Sequence, residues 1–115
     1  MLKVYSYERC STCKKALAWL KSKGKEAQVL PIVEQPPSKE ELKQMLSYVG
    51  DLKRLFNTSG ELYREMQLSQ KLPSMTQDDA LNLLAAHGKL VKRPFVLGHG
   101  VGCVGFKEDE WLKKL

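Results

Sequence analysis

The apolar residues of this chain change period twice. Leu2, Val4 and Ser6 alternate with Lys3, Tyr5 and Tyr7 in a stretch rich in β-branched and aromatic types, which predicts a first strand. Glu8-Arg9-Cys10-Ser11 breaks the alternation. From Cys13 onward the apolar positions fall at Ala16, Leu17 and Leu20, the i, i+3, i+4, i+7 spacing of an amphipathic helix. Lys14, Lys15, Lys21 and Lys23 take its wet face, and Gly24 supplies its stop. Ala27-Gln28-Val29-Leu30-Pro31-Ile32-Val33 reads as a second strand, which Pro31 pushes towards a sheet edge or a strand end. Strand, helix and strand within about 33 residues make a βαβ unit, whose strands lie parallel with a right-handed crossover.

The pattern then turns helical. Gln35-Pro36-Pro37 is a stiff break, and Ser38-Lys39-Glu40-Glu41 is a capping box opening a helix through about Tyr48. Gly50 punctuates, Asp51 to Phe56 predicts a short helical turn, and Asn57-Thr58-Ser59-Gly60 a loop. A helix is expected from about Glu61 to Gln67. Thr76-Gln77-Asp78-Asp79 caps another, with Ala80, Leu83, Leu84 and His87 on one face and Gly88 at its end. On that face His87 is expected to be a core histidine. Strands return with Phe95-Val96-Leu97, a tight turn at His99-Gly100, and Val101 to Phe106, an antiparallel hairpin. Lys107 to Leu112 is a final helix, with acidic residues in its first turn and Lys113-Lys114 in its last, matching the helix dipole. The order βαβ, helical insert, ββα predicts an α/β chain of thioredoxin-like fold with a four-stranded mixed sheet. It is expected as one domain over 1–115 with the insert at about 38–88.

Composition adds limits. With 115 residues, 43% apolar and 28% charged, the chain has ordinary globular usage and enough length to form a core without metal or disulfide staples. No apolar stretch approaches the ~18 residues of a membrane span. The N-terminal residues show no signal-peptide pattern, so a cytoplasmic location and no membrane partner are expected. Nineteen Lys and Arg against thirteen Asp and Glu leave +6, which favours anionic substrates or acidic partners. No strip of interleaved aromatic and basic residues suggests direct nucleic-acid binding.

Two of the three cysteines form Cys10-Ser11-Thr12-Cys13. A C-x-x-C beside a βαβ unit reads as a redox motif. Cys10 falls where the helix begins, and there free backbone N–H groups and the helix dipole favour a thiolate. Arg9, Lys14 and Lys15 are expected to add positive charge, and the Ser11 and Thr12 hydroxyls further hydrogen bonds. Cys13 lies one helical turn on, placed to attack a mixed disulfide formed at Cys10. Two other readings stay open. Both cysteines suit a core as small apolar residues, and His99-x-x-x-Cys103 supplies a second pair with zinc-like arithmetic. Cys103 otherwise reads as an interior strand residue. Arg93-Pro94 opens the third strand, at a corner that a thioredoxin layout sets beside the start of the first helix. Lys53 and Arg54 are candidates to approach from the other side, and an arginine fork suits an oxyanion or carboxylate.

Over essentially its whole length the chain resembles the glutaredoxin-coupled arsenate reductase family and its Spx/MgsR-type regulator branch. The resemblance rests on Cys10 to Ala16 with the preceding strand, Lys53 to Gly60, Lys89 to Pro94, and Val104 to Trp111. It implies a thioredoxin-like fold, a cis proline at Pro94 and a cytoplasmic bacterial protein. Cys10 matches the family's nucleophile and Arg54 and Arg93 two arginines of its oxyanion site. Gly50 lies where the regulator branch contacts RNA polymerase. The chain departs from the reductases in three ways: Cys13 stands where serine is usual, Lys14 where arginine is usual, and no third arginine falls near Gly105. The C-x-x-C and the Val104-Gly105-Phe106 ending look more like the regulator branch.

Two functions follow. In the first, a thiol-dependent oxidoreductase uses Cys10 as nucleophile and Cys13 as resolving thiol, with Arg93 and Arg54 holding an anionic or disulfide substrate. Ser11, Thr12, Lys14 and Pro94 are its candidate substrate contacts, and no metal or bound cofactor is expected. Glutathione, a glutaredoxin or a thioredoxin would return the electrons. In the second, a redox regulator docks on the RNA polymerase α subunit through a surface including Gly50. Regulators of that branch usually extend further beyond the last helix than Leu115 does here, which tilts the expectation towards the reductase.

Overall fold

The structure is a computed structural model describing residues 1–115. Four strands, β1 (Leu2–Ser6), β2 (Ala27–Pro31), β3 (Phe95–Gly98) and β4 (Val101–Val104), form one mixed sheet in the order β2-β1-β3-β4. β1 runs parallel to β2 and antiparallel to β3, and β3 pairs antiparallel with β4. Six helices accompany it: α1 (Ser11–Ser22), α2 (Lys39–Val49), α3 (Glu61–Glu65), α4 (Leu68–Lys71), α5 (Gln77–Ala86) and α6 (Glu108–Lys114). This is the thioredoxin-like architecture. No helix is long and apolar enough to cross a membrane.

The sheet is covered on both faces, and the period of two along each strand assigns its side chains. Leu2 and Val4 join Ala16, Trp19 and Leu20 of α1 and Trp111 of α6 in one core cluster. Tyr5 points the other way, with Phe95, into a larger cluster built from the helical segment between β2 and β3. Pairing on both edges therefore buries β1 far more completely than its alternation alone implies. β2 is one of the two edge strands, ends at Pro31, and leaves Gln28 and Val29 exposed.

The capping box forms as the sequence reads: Ser38 Oγ accepts from the Glu41 N–H at 3.1 Å and Glu41 Oε1 from the Ser38 N–H at 3.0 Å. The same carboxylate accepts from Tyr5 Oη at 2.7 Å and from Lys3 Nζ at 2.9 Å, fastening α2 to β1. At its far end the segment is pressed onto the chain after β2. A Cβ on Gly88 would stand 1.8 Å from the Ile32 carbonyl oxygen, so only glycine fits there.

Three expectations need correction. The helix read as Glu61 to Gln67 stops at Glu65, and Gln67 takes a left-handed φ of 54° before a further short helix, α4, begins beyond it. His87 is exposed: α5 ends at Ala86, and His87 turns out of the helix at φ −134°, ψ 92° while its N–H closes the last turn. The return strand β4 stops at Val104, since Gly105 takes φ of +70° and redirects the chain.

Candidate active site

Topology gathers the site. β1 runs towards Cys10, so the antiparallel β3 starts at that same end with Arg93-Pro94, and β4 finishes there at Val104. An isolated bridge between Phe56 and Val91 adds a fourth segment. Asn57 N–H donates to the Leu90 carbonyl at 2.7 Å and Lys92 N–H to the Leu55 carbonyl at 2.8 Å. These bonds lay the turn carrying Lys53 and Arg54 (Leu52–Leu55, a 3-10 turn) alongside Lys92 and Arg93.

Cys10 is the N-cap of α1, in extended backbone at φ −96°, ψ 111°, and its Sγ accepts the Cys13 N–H at 3.3 Å. The sulfur thus occupies the position of a capping oxygen, at the positive end of the helix dipole. Partial burial pushes the Cys10 thiol up, but hydrogen bonds from the Cys13 side chain and amide, with the Arg93 charge, outweigh it and bring the pKa below the ordinary thiol value. Cys13 is buried one turn on. Burial, then the hydrogen bond to Cys10, push it up to about 11, against opposing contributions from the Tyr7 amide and the Ser6 side chain. The two sulfurs are therefore unequal: a thiolate-prone one at the mouth and a protonated one beneath it.

Cys10 opens into a cleft of about 860 Å³. Lys53, Arg54, Lys92, Arg93 and Lys107 line it against only two carboxylates, Asp51 and Glu61. None of these five cations takes part in an ion pair; the salt bridges of the chain join Lys3, Lys39 and Lys114 to other partners. The Arg93 guanidinium lies over the Tyr7 ring, 4.7 Å from its centroid, and its Nη1 is buried without a hydrogen-bond partner. A buried, unpaired cationic N–H is costly unless something accepts from it. Arg93 also lines the cleft, where its positive charge faces no carboxylate partner.

The sequence candidates divide accordingly. Cys10, Thr12, Arg54 and Arg93 line the cleft, with Cys13 directly behind Cys10. Pro94, joined to Arg93 by a cis peptide bond, is buried behind the wall, where its carbonyl accepts the Gly105 N–H at 2.9 Å. Ser11 and Lys14 are exposed and lie outside the lining, as do Arg9 and Lys15. The charge acting on Cys10 comes from Arg93 across the site instead. Gly50 is the exposed left-handed end of α2 at φ 80°, one residue before Asp51 at the cleft mouth. Cys103 is buried in β4, and His99 sits in the β3–β4 turn, at the end of the sheet away from Cys10. No group of His, Cys, Asp and Glu is arranged to hold a metal ion. Sequence reasoning missed Tyr7, Lys92, Phe106 and Lys107 as site residues. Their only local signal was adjacency to strand ends, and it becomes informative once the strand order is known.

Fold and site together define a thioredoxin-like dithiol protein with an anion-receptive cleft. The sequence profile of the ArsC family matches residues 5–114, and the chain belongs to that family. It is 50% identical to the uncharacterized protein YusI of Bacillus subtilis, over 96% of this chain and 94% of that one. It is 31% identical to an arsenate reductase of Neisseria meningitidis serogroup A, over 90% and 89% of the two chains. The regulatory protein MgsR of Bacillus subtilis matches at 29% over 97% and 88%. Among solved structures, a Bacteroides fragilis protein described as ArsC-family related superposes with a TM-score of 0.92 at 45% identity, covering 97% of this chain and 95% of that one. The family thus holds both reductases and regulators.

Proposed function

We propose that this protein is a thiol-dependent oxidoreductase that reduces an anionic oxidised substrate through Cys10 and Cys13. The observation that carries the reading is the Cys10 sulfur capping α1 beside Arg93, a cation with no ion-pair partner, with a second thiol one turn behind it. Cys10 as thiolate attacks the oxidised centre and forms an adduct, while one oxygen leaves protonated as water from an oxyanion, or a thiolate leaves from a disulfide. Arg93 and Arg54 hold the anionic group, and Thr12 borders it. Cys13 then gives up its proton and attacks the Cys10 sulfur. The Cys10–Cys13 disulfide forms, and the reduced substrate leaves with the electron pair. Glutathione, a glutaredoxin or a thioredoxin returns two electrons to the disulfide. The raised pKa of Cys13 suits this order, since the buried thiol does not compete for the first attack.

The test is turnover by the reduced protein of arsenate and of glutathione mixed disulfides, with glutaredoxin supplied. Steady reduction of one, abolished by Cys10→Ser, is expected; no reaction of Cys10 with either overturns the reading. The likeness to MgsR and the exposed Gly50 beside the cleft favour a second reading, a redox regulator docking on the RNA polymerase α subunit. Binding of purified α subunit that changes with the Cys10–Cys13 redox state, without substrate turnover, would support that reading over the first.

A further inference from the structure

A small oxyanion does not account for this cleft. One tetrahedral anion is satisfied by the Arg93 and Arg54 forks, which leaves Lys53, Lys92 and Lys107 without partners. These three lysines stand on three different segments around Cys10: the 3-10 turn, the approach to β3, and the corner between β4 and α6. The cleft's volume of about 860 Å³ lies in the range of sites that enclose a ligand of many atoms. Its lining is also partly apolar. Phe56 and Val104 back it from the core, and the half-buried Phe106 offers carbon surface, its ring braced edge-on against Trp111 and Trp19 at centroid distances of 4.8 and 6.2 Å.

We infer that the cleft receives an acidic peptide segment carrying an oxidised cysteine. Carboxylates on either side of that cysteine meet the separated lysines, and an apolar neighbour covers Phe106. A nucleic acid would match the charge but has no sulfur for Cys10 to attack. The inference deepens the thiol-exchange reading and rests on it. In the step, the Cys10 thiolate attacks the peptide-side sulfur of the substrate disulfide. A Cys10–peptide disulfide forms, and the other half leaves as a thiolate with the electron pair. Cys13, deprotonated, attacks the Cys10 sulfur, forms the Cys10–Cys13 disulfide and releases the peptide as its thiolate. The substrate disulfide is reduced by two electrons, and the two protein thiols are oxidised.

The experiment follows release of one common aromatic leaving thiolate from two synthetic cysteine peptides, identical except that Asp and Glu flank the cysteine in one and Asn and Gln in the other. Each solvent-facing cation–carboxylate pair is worth a factor of about 1.5 to 5, so two or three predict roughly tenfold faster reaction of the acidic peptide at low salt. The advantage should vanish near 1 M salt, where screening acts within about 3 Å. In the Lys53→Gln/Lys107→Gln protein the acidic-to-neutral ratio should fall severalfold; the neutral peptide serves as the reference within each protein. Equal rates for the two peptides at low salt overturn the inference, as does a ratio unmoved by the double substitution. Arsenate turnover without peptide preference assigns the cleft to a small oxyanion and overturns it too. If Cys10 reacts with neither peptide nor with a small neutral disulfide, the thiol-exchange reading itself has failed.

Discussion

Replacing the Tyr7 side chain by leucine should weaken Cys10 while keeping the Tyr7 carbonyl that accepts the Cys10 N–H at 3.0 Å. The Tyr7 ring lies 4.7 Å from the Arg93 guanidinium, whose Nη1 is buried, and that guanidinium is the positive charge acting on the Cys10 sulfur. A cation over an aromatic face contributes about 1 kcal/mol at a partly desolvated site. Losing it lowers the docking equilibrium constant of the guanidinium by about fivefold. The sign follows directly: a thiolate that loses a nearby cation is less stable, so its titration moves up in pH. Below the midpoint the rate of Cys10 alkylation should fall, by up to about fivefold. The assay is iodoacetamide modification against pH in a Cys13→Ser background, which removes the second thiol and retains the residue-13 backbone N–H that donates to Cys10. Tyr7→Phe keeps the ring and should keep the parent profile, while Tyr7→Leu should shift it upward. An unshifted Tyr7→Leu profile, or Tyr7→Phe shifted as far as Tyr7→Leu, would refute the positioning role.

Three further outcomes can be checked independently. Gly88→Ala forces a Cβ against the Ile32 carbonyl, at 1.8 Å before any relaxation, and should destabilise by about 3 kcal/mol; a thermal midpoint equal to the parent's would contradict that packing. Glu41→Gln removes the carboxylate that joins Lys3, Tyr5 and the Ser38 amide, and should destabilise by about 1 kcal/mol at neutral pH in urea unfolding. Burial raises the Glu41 pKa, but those hydrogen bonds outweigh it, and the folded pKa lies below the unfolded value of about 4.3. The contribution is complete above that pH and is lost as pH falls through the folded pKa, so the gap should close in acid; a widening gap would contradict the sign. Cys13→Ser should leave Cys10 locked in a mixed disulfide visible by intact mass, whereas the parent loses its adduct and two thiol hydrogens. A persistent adduct on the parent would remove Cys13 from the resolving step.

Local signals read some parts of this protein well. Period, cap and stop residues identify α1 from the sequence, and the Ser38–Glu41 capping box places the start of α2, because these depend on neighbours in the chain. The double burial of β1 was not legible, since it depends on pairing with β3 about ninety residues away. The break at Gln67 carries no glycine or proline to announce it. Leu68 packs into the core from a separate helix, so tertiary contact and not propensity sets that boundary. His87 follows an apolar period that the helix abandons one residue earlier. Within the site, Cys10 and Arg93 stood out by motif and by position before a proline. Lys92 and Lys107 looked like any other surface lysine, and Tyr7 like the tail of a strand. Only the sheet order, which brings the ends of β1, β3 and β4 together, gives these residues a common place.

The central claim is that Cys10 is held as a stabilised thiolate at the start of α1. Titration of its thiolate absorbance in the reduced protein, with Cys10→Ser as the blank, tests this most directly. A midpoint clearly below the ~8.5 of a free cysteine is predicted. A midpoint at or above that value would contradict the account.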